Sequence, residues 1–196
     1  MTDYFKKNME YIEKSLHSLD DAQFDLLVNE SVRALDKGHK IVVSGLGKNV
    51  PVCDKFVGTL NSLGQNACYM NTNSAVHGDL GMVQDGDIVI VLTKSGETAE
   101  SIYLVDLLLK RNSNVWLITF SHNSSIEKMI GSEKCICLAL DHEGDEWNIV
   151  PNNSTTVNLI VLQGLAMTVS GRRGVTLADF KRNHPGGHIG VQLKNA

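Results

Sequence analysis

Residues 40 to 64, KIVVSGLGKNVPVCDKFVGTLNSLG, hold the unit from which the whole fold can be built. The opening KIVVSG is a short β-branched run that stops at a glycine, as a buried strand does. Apolar residues then recur at helical spacing as far as Gly64, and the glycines between the two segments permit a tight turn. A strand, a glycine turn and a helix in succession form the repeating unit of an α/β protein.

The unit returns along the chain. ACYM (67–70) reads as a short strand, and DIVIVLT (87–93) reads as a buried strand followed by the apolar-faced helix ETAESIYLVDLLLKRN (97–112). NVWLITF (114–120), the polar helix start NSSIEKMI and KCICLAL (134–140) repeat the pattern. Strands alternating with helices predict a parallel sheet covered on both faces. Two amphipathic helices, over 4–17 and 21–37, precede the first strand. A long uncharged segment, STTVNLIVLQGLAMTVSG (154–171), reads as a helix capped by Ser154 or Thr155. Its hydroxyl-rich start, Asn158 and Gln163 leave too short an apolar stretch for a bilayer, so it is expected to be buried or to lie at a subunit interface. The chain reads as a single domain, 1–196, with N-terminal helices in 1–39 and a core in 40–196. Behind the last expected helix, KRNHPGGHIG (181–190) presents His184 beside Pro185 and two glycines, as a shaped loop or a helix terminator.

Composition narrows the function. The chain holds 18 Lys plus Arg against 22 Asp plus Glu and has no basic run, which argues against nucleic-acid partners. The charged N-terminus lacks the apolar core of a signal peptide, and no membrane partner is expected. Cys53, Cys68, Cys135 and Cys137 form no CxxC pair and sit in apolar contexts, which reads as a reducing cytoplasm with no metal site.

Three polar loops remain at expected helix starts: SGLGK (44–48), TKSGET (93–98) and NNSTT (152–156). Each combines hydroxyls with small residues where free backbone N–H groups and the positive dipole end favour an anion. SGLGK lacks the spacing of a Walker loop, and its GLG lacks the third glycine of the dinucleotide fingerprint. The shared inference is a phosphate.

The order SGLGK, AVHGDLGM, LTKSGETAE, PNNSTT and DFKRNHPGG resembles the sugar isomerase (SIS) domain and, within it, the D-arabinose 5-phosphate isomerase family, over about residues 40 to 193. The resemblance implies a three-layer αβα sandwich around a five-stranded parallel sheet, in a homodimer or homotetramer with sites at subunit interfaces. It is to the short form without the C-terminal pair of CBS modules. The implied reaction interconverts D-arabinose 5-phosphate and D-ribulose 5-phosphate through a cis-enediolate, with no redox cofactor. Such proton transfer needs a base near two adjacent carbons, a group for the hydroxyl protons, and positive charge or donors at the developing oxyanion. By resemblance the active-site residues are Lys48, His77, Glu100, Glu143 and His184. Glu143 or His184 is the candidate carbon base, and His77 with Glu100 positions hydroxyls. Ser44, Gly45, Ser95, Gly96, Thr98, Ser154 and Thr155 are candidate phosphate or hydroxyl contacts. A CMP-linked eight-carbon sugar acid is a candidate inhibitor.

The chain departs from the family pattern at several positions. After Glu143 it reads GDEWN rather than Ala-Cys-Pro, adding Asp145 and Glu146; Leu162 and Gln163 replace a Gly-Asp pair; Asn49, Val50 and Pro51 follow Lys48; Lys94 stands where Asn is usual; and His188 is unusual in its turn. These leave a phosphosugar site and open the identity of the sugar. Another pentose or hexose phosphate isomerase is one competitor, and a non-catalytic phosphosugar sensor is another.

Overall fold

Ile41–Gly45 forms β1 at the heart of the sheet in the computed structural model, which describes residues 2–194. With β2 (Ala67–Tyr69), β3 (Ile88–Leu92), β4 (Asn114–Thr119) and β5 (Cys135–Cys137) it makes a five-stranded sheet of order β2-β1-β3-β4-β5, and every pairing is parallel. Gly45 lies beside Leu92, and Leu92 beside Ile118, so the carboxyl ends of the three central strands finish level.

Successive side chains on a strand point to opposite faces, and two separate cores result. Ile41, Val43, Ile88, Ile90, Leu92, Trp116 and Ile118 join one core; Val42, Val89, Val91, Val115 and Leu117 join the other. On the first face lie α2 (Asp21–Asp36), α3 (Val50–Ser62) and α7 (Asn153–Arg172), with α1 (Thr2–His17) against α7. On the second lie α4 (Thr72–Ala75), α5 (Ala99–Lys110) and α6 (Ser125–Ile130). The result is the expected αβα sandwich.

Glu30 fastens α2 to the sheet. Its carboxylate accepts bonds of 2.9 Å from the Trp116 indole N–H and the Asn114 amide and pairs with Lys134. Burial pushes this carboxyl up, and Lys134, Asn114 and Trp116 outweigh it, so the group stays below the usual carboxylate range.

α7 answers the question of the uncharged segment. Ser154, Val157, Asn158, Val161, Leu162 and Leu165 are buried at helical spacing against the first core. Among the described residues no helix is long and apolar enough to cross a membrane. Neither Ser154 nor Thr155 caps it: the helix begins at Asn153 with Asn152 at the cap and no side-chain capping bond, and the Ser154 hydroxyl donates to Glu143 instead.

The C-terminal region is also more helical than expected. α8 (Leu177–Asn183) opens with a capping box of Thr176 and Asp179, and α9 (Gly187–Lys194) follows His184, Pro185 and Gly186. The HPGG segment is thus a hinge between two short helices, with Gly187 at φ +70°. Too few apolar residues at helical spacing surround it for a sequence pattern to mark either helix.

Leu162 of α7 is fully buried in the first core. Leu162→Ala is expected to lower the unfolding free energy by about 2–5 kcal/mol, read from urea denaturation followed by circular dichroism.

Candidate active site at the carboxyl edge of the sheet

Chain connectivity opens a crevice. From β1 the chain passes to α3 on one face, and from the adjacent β3 it passes to α5 on the other. The two turns diverge, and in open α/β sheets ligands bind where they part. A cleft of about 240 Å3 lies at this edge.

Three helix starts frame it. Gly47, Lys48 and Asn49 form a 3-10 turn leading into α3; Thr98 stands just before the first residue of α5; Ser154 and Thr155 lie in the first turn of α7. Their positive dipole ends meet in one volume, although the Asn152 and Ser154 N–H groups at the start of α7 are already bonded to the Glu143 carboxylate. Thr98 makes no capping bond, leaving its hydroxyl for a ligand. Lys48 is exposed in the cleft wall, and no carboxylate among the described residues pairs with it.

Glu143 organises the opposite wall. It is fully buried between β5 and α7. Its carboxylate accepts from the N–H groups of Asn152 and Ser154 at 3.0 and 2.9 Å and from the Ser154 hydroxyl at 2.8 Å. The Lys94 ammonium, whose side chain is 47% exposed in the cleft, stands 2.6 Å from Oε1. Burial pushes the carboxyl up, but Lys94, Ser154 and Asn152 together outweigh it and hold Glu143 below the usual carboxylate range. Asn148, at φ +56°, accepts from the Glu143 N–H at 2.8 Å. Asp145 accepts from the N–H groups of Trp147, Ile149 and Val150, so this extra acid folds its own loop.

Several expected residues shape the cleft from behind. The buried Ser44 hydroxyl is bonded to Thr72 at 2.9 Å, tying β1 to α4. Gly45 leaves no room for a Cβ, which would come within 2.9 Å of Asn49 Cβ. Gly96, buried at φ +67°, would drive a Cβ into the Ser124 hydroxyl. Ser95 is exposed and accepts from the Glu97 N–H at 3.2 Å.

His77 and Glu100 are exposed outside the cleft lining. His184 is further away. Asn183 beside it bonds to the Ser62 carbonyl at 3.1 Å, at the carboxyl end of α3. The cleft lies at the other end of that helix, whose 13 residues span about 20 Å. The His184 ring stacks on Phe180 with centroids 3.9 Å apart, and its Nδ1 lies 2.8 Å from the Phe180 carbonyl. A carbonyl oxygen only accepts, so Nδ1 is the donor in this contact.

Sequence reasoning did not place Ser101 or Asn158 in the site, though both are buried and line the cleft, and it noticed Lys94 only as an oddity. Asn158 sits four residues after Ser154, on the same helix face, which was the available signal. Its amide donates to Asn49 at 3.1 Å, while its buried Oδ1 has no partner.

Comparison with known proteins agrees with this fold. Residues 34–167 match the SIS domain family. The arabinose 5-phosphate isomerase KdsD of Yersinia pestis is 33% identical over 177 residues, 88% of this chain and 53% of that protein. An uncharacterized protein of Chlamydia pneumoniae is 38% identical over 157 residues, 79% of this chain and 47% of its own length. The chain therefore spans about half the length of the curated relatives it matches. An E. coli CFT073 protein solved in complex with arabinose 5-phosphate superposes with a TM-score of 0.82 at 29% identity, covering 93% of this chain and 94% of that one.

The Glu143 pairing has a testable sign. A carboxyl held low in the folded state contributes stability that is present above its unfolded value and lost as pH falls through the folded one. Glu143→Gln is expected to cost about 1–3 kcal/mol at neutral pH. That difference should shrink on acidification in urea denaturation across a pH series; a difference independent of pH would contradict the assignment.

Proposed function

The chain belongs to the SIS domain family, and from that premise we propose that it is an aldose-ketose isomerase acting on a sugar phosphate, with D-arabinose 5-phosphate and D-ribulose 5-phosphate as the substrate pair. The observation that carries the reading is the convergence of three helix starts, Lys48 and the free Thr98 hydroxyl on one cleft, with the buried carboxylate of Glu143 behind the lining residues Lys94 and Ser154. The helix starts, Lys48, Thr98 and Thr155 receive the phosphate. The orphaned Asn158 Oδ1 suits a sugar hydroxyl, since a buried acceptor gains most from a donor that nothing else supplies.

In the forward reaction the C2–H bond breaks, and its electron pair becomes the C1–C2 double bond of the enediolate. The base takes the proton and returns it to C1, while the hydroxyl protons exchange between the two oxygens. Glu143 and His184 are the candidate bases; His77 and Glu100, exposed outside the cleft lining of their own chain, are assigned hydroxyl positioning by family resemblance alone. Because His184 lies at the far end of α3 in its own chain, its role in this reading is played in the cleft of a second copy, and the assembly is a homodimer or homotetramer. Exposed Trp147, Ile149 and Val150 beside Pro151 of the cleft wall, and exposed Ile160 and Met167 on α7, offer apolar surface for such an assembly.

The test is proton NMR of D-arabinose 5-phosphate with the protein in deuterium oxide. Ribulose 5-phosphate carrying solvent deuterium at the reacting carbon is expected, with kcat/KM reduced about a hundredfold or more in Lys48→Ala and in His184→Ala. Turnover of a different aldose phosphate alone would transfer the activity to that sugar. Binding without turnover across a panel of aldose phosphates would leave a phosphosugar sensor.

A further inference from the structure

Lys94 and Glu143 are an unequal pair. The carboxylate is fully buried and held by three hydrogen bonds besides the lysine, two from backbone N–H groups and one from the Ser154 hydroxyl. The lysine side chain is half exposed in the cleft, with Glu143 as its carboxylate partner. Its backbone is pinned, since the Lys94 carbonyl accepts from the Phe120 N–H at 3.0 Å and from the Thr119 hydroxyl at 3.1 Å. The acid cannot follow a ligand, and the lysine can do so by rotating its flexible stem alone.

Charge supplies the reason for it to rotate. The charged side chains lining the cleft are Lys48 and Lys94, and Glu143 neutralises the second. A phosphate dianion entering among the helix starts carries more charge than a carboxylate and offers several acceptor oxygens. The exposed ammonium is reached by solvent and by an incoming anion, so its partner can be exchanged without moving the buried carboxylate.

We propose that Lys94 is a positioning residue that keeps Glu143 charge-paired in the free protein, transfers its ammonium to the anionic group of the incoming ligand, and leaves the Glu143 carboxylate without a countercharge behind the cleft lining. This rests on the reading of the cleft as a sugar-phosphate site. It deepens that reading by making the readiness of the carboxylate conditional on ligand. Without Lys94 the carboxyl keeps its burial and loses its opposing charge, so its titration midpoint rises and it becomes a better proton acceptor near neutral pH. An asparagine at position 94 is too short and uncharged to make this exchange, so the device belongs to chains with lysine there.

Other ionisable groups surround the carboxylate without being bonded to it among the described residues. His142 and Asp145 lie on its own segment, with the His142 ring stacked on Tyr11 of α1. Tyr4, also of α1, reaches Asn152 at 3.3 Å, and Lys48 stands in the cleft wall.

The experiment labels glutamate carboxyls with carbon-13, assigns Glu143 by its loss in Glu143→Gln, and titrates pH with and without inorganic phosphate in the wild type, Lys94→Gln and Lys94→Met. In the wild type, saturating phosphate should move the Glu143 midpoint to higher pH. In both variants the midpoint should already be raised, phosphate should move it less than in the wild type because only its own charge then acts, and phosphate affinity should fall about tenfold. A wild-type midpoint that stays put while phosphate binds overturns the exchange. So does unchanged phosphate affinity in both variants.

The deuterium-exchange assay on the same preparations separates this inference from the functional reading. Turnover with an immobile midpoint defeats the exchange and spares the isomerase. A midpoint moved by phosphate without turnover of any aldose phosphate supports the exchange and defeats the isomerase. No phosphate binding and no turnover defeat both.

Discussion

The cleft hangs on the buried carboxylate of Glu143. Through it the segment after β5, the start of α7 and the turn after β3 are joined at one point. Two N–H groups that a helix start would otherwise leave unpartnered are satisfied by an ionised acceptor, which also complements the dipole of α7. Remove the charge and three chain segments lose a common anchor. This explains why the Ser154 hydroxyl, which a sequence reading assigns to capping or to phosphate, turns inward instead.

Sheet topology decides where that anchor is useful. Because β1 and β3 are neighbours and send their helices to opposite faces, the turns after them part and expose the ends of the strands. The same topology aims α3, α5 and α7 so that their amino ends meet. The ligand pocket thus follows from strand order and the handed connection of parallel strands rather than from any single motif. Gly45 and Gly96 let the turns close tightly enough: a Cβ at the first would press on Asn49, and at the second on Ser124.

The candidate site was legible in the sequence to an uneven degree. Lys48, Thr98, Ser154 and Thr155 lie in loops whose composition marks helix starts, and the structure brings all four to the cleft. Ser44 and Ser95 looked equivalent in composition, yet one is consumed by Thr72 and the other by its own turn. A hydroxyl near a turn has many short-range partners, and composition cannot say which wins. His184 is the extreme case: its segment marks a shaped turn, while its distance from the cleft and the orientation of its ring depend on the Asn183 contact with the end of α3 and on the Phe180 carbonyl.

Local pattern alone was enough to establish the alternation of β-branched runs with amphipathic helices, and through it a parallel sheet with helices on both faces. The two side-chain periods report such patterns directly. Strand order, the meeting of three helix starts, the orphaned acceptor of Asn158 and the pairing of Lys94 with Glu143 came instead from the folded chain. Each of these joins residues distant in sequence and near in space. The free energy of a buried charge is set by what surrounds it, and those neighbours exist only once the chain has folded.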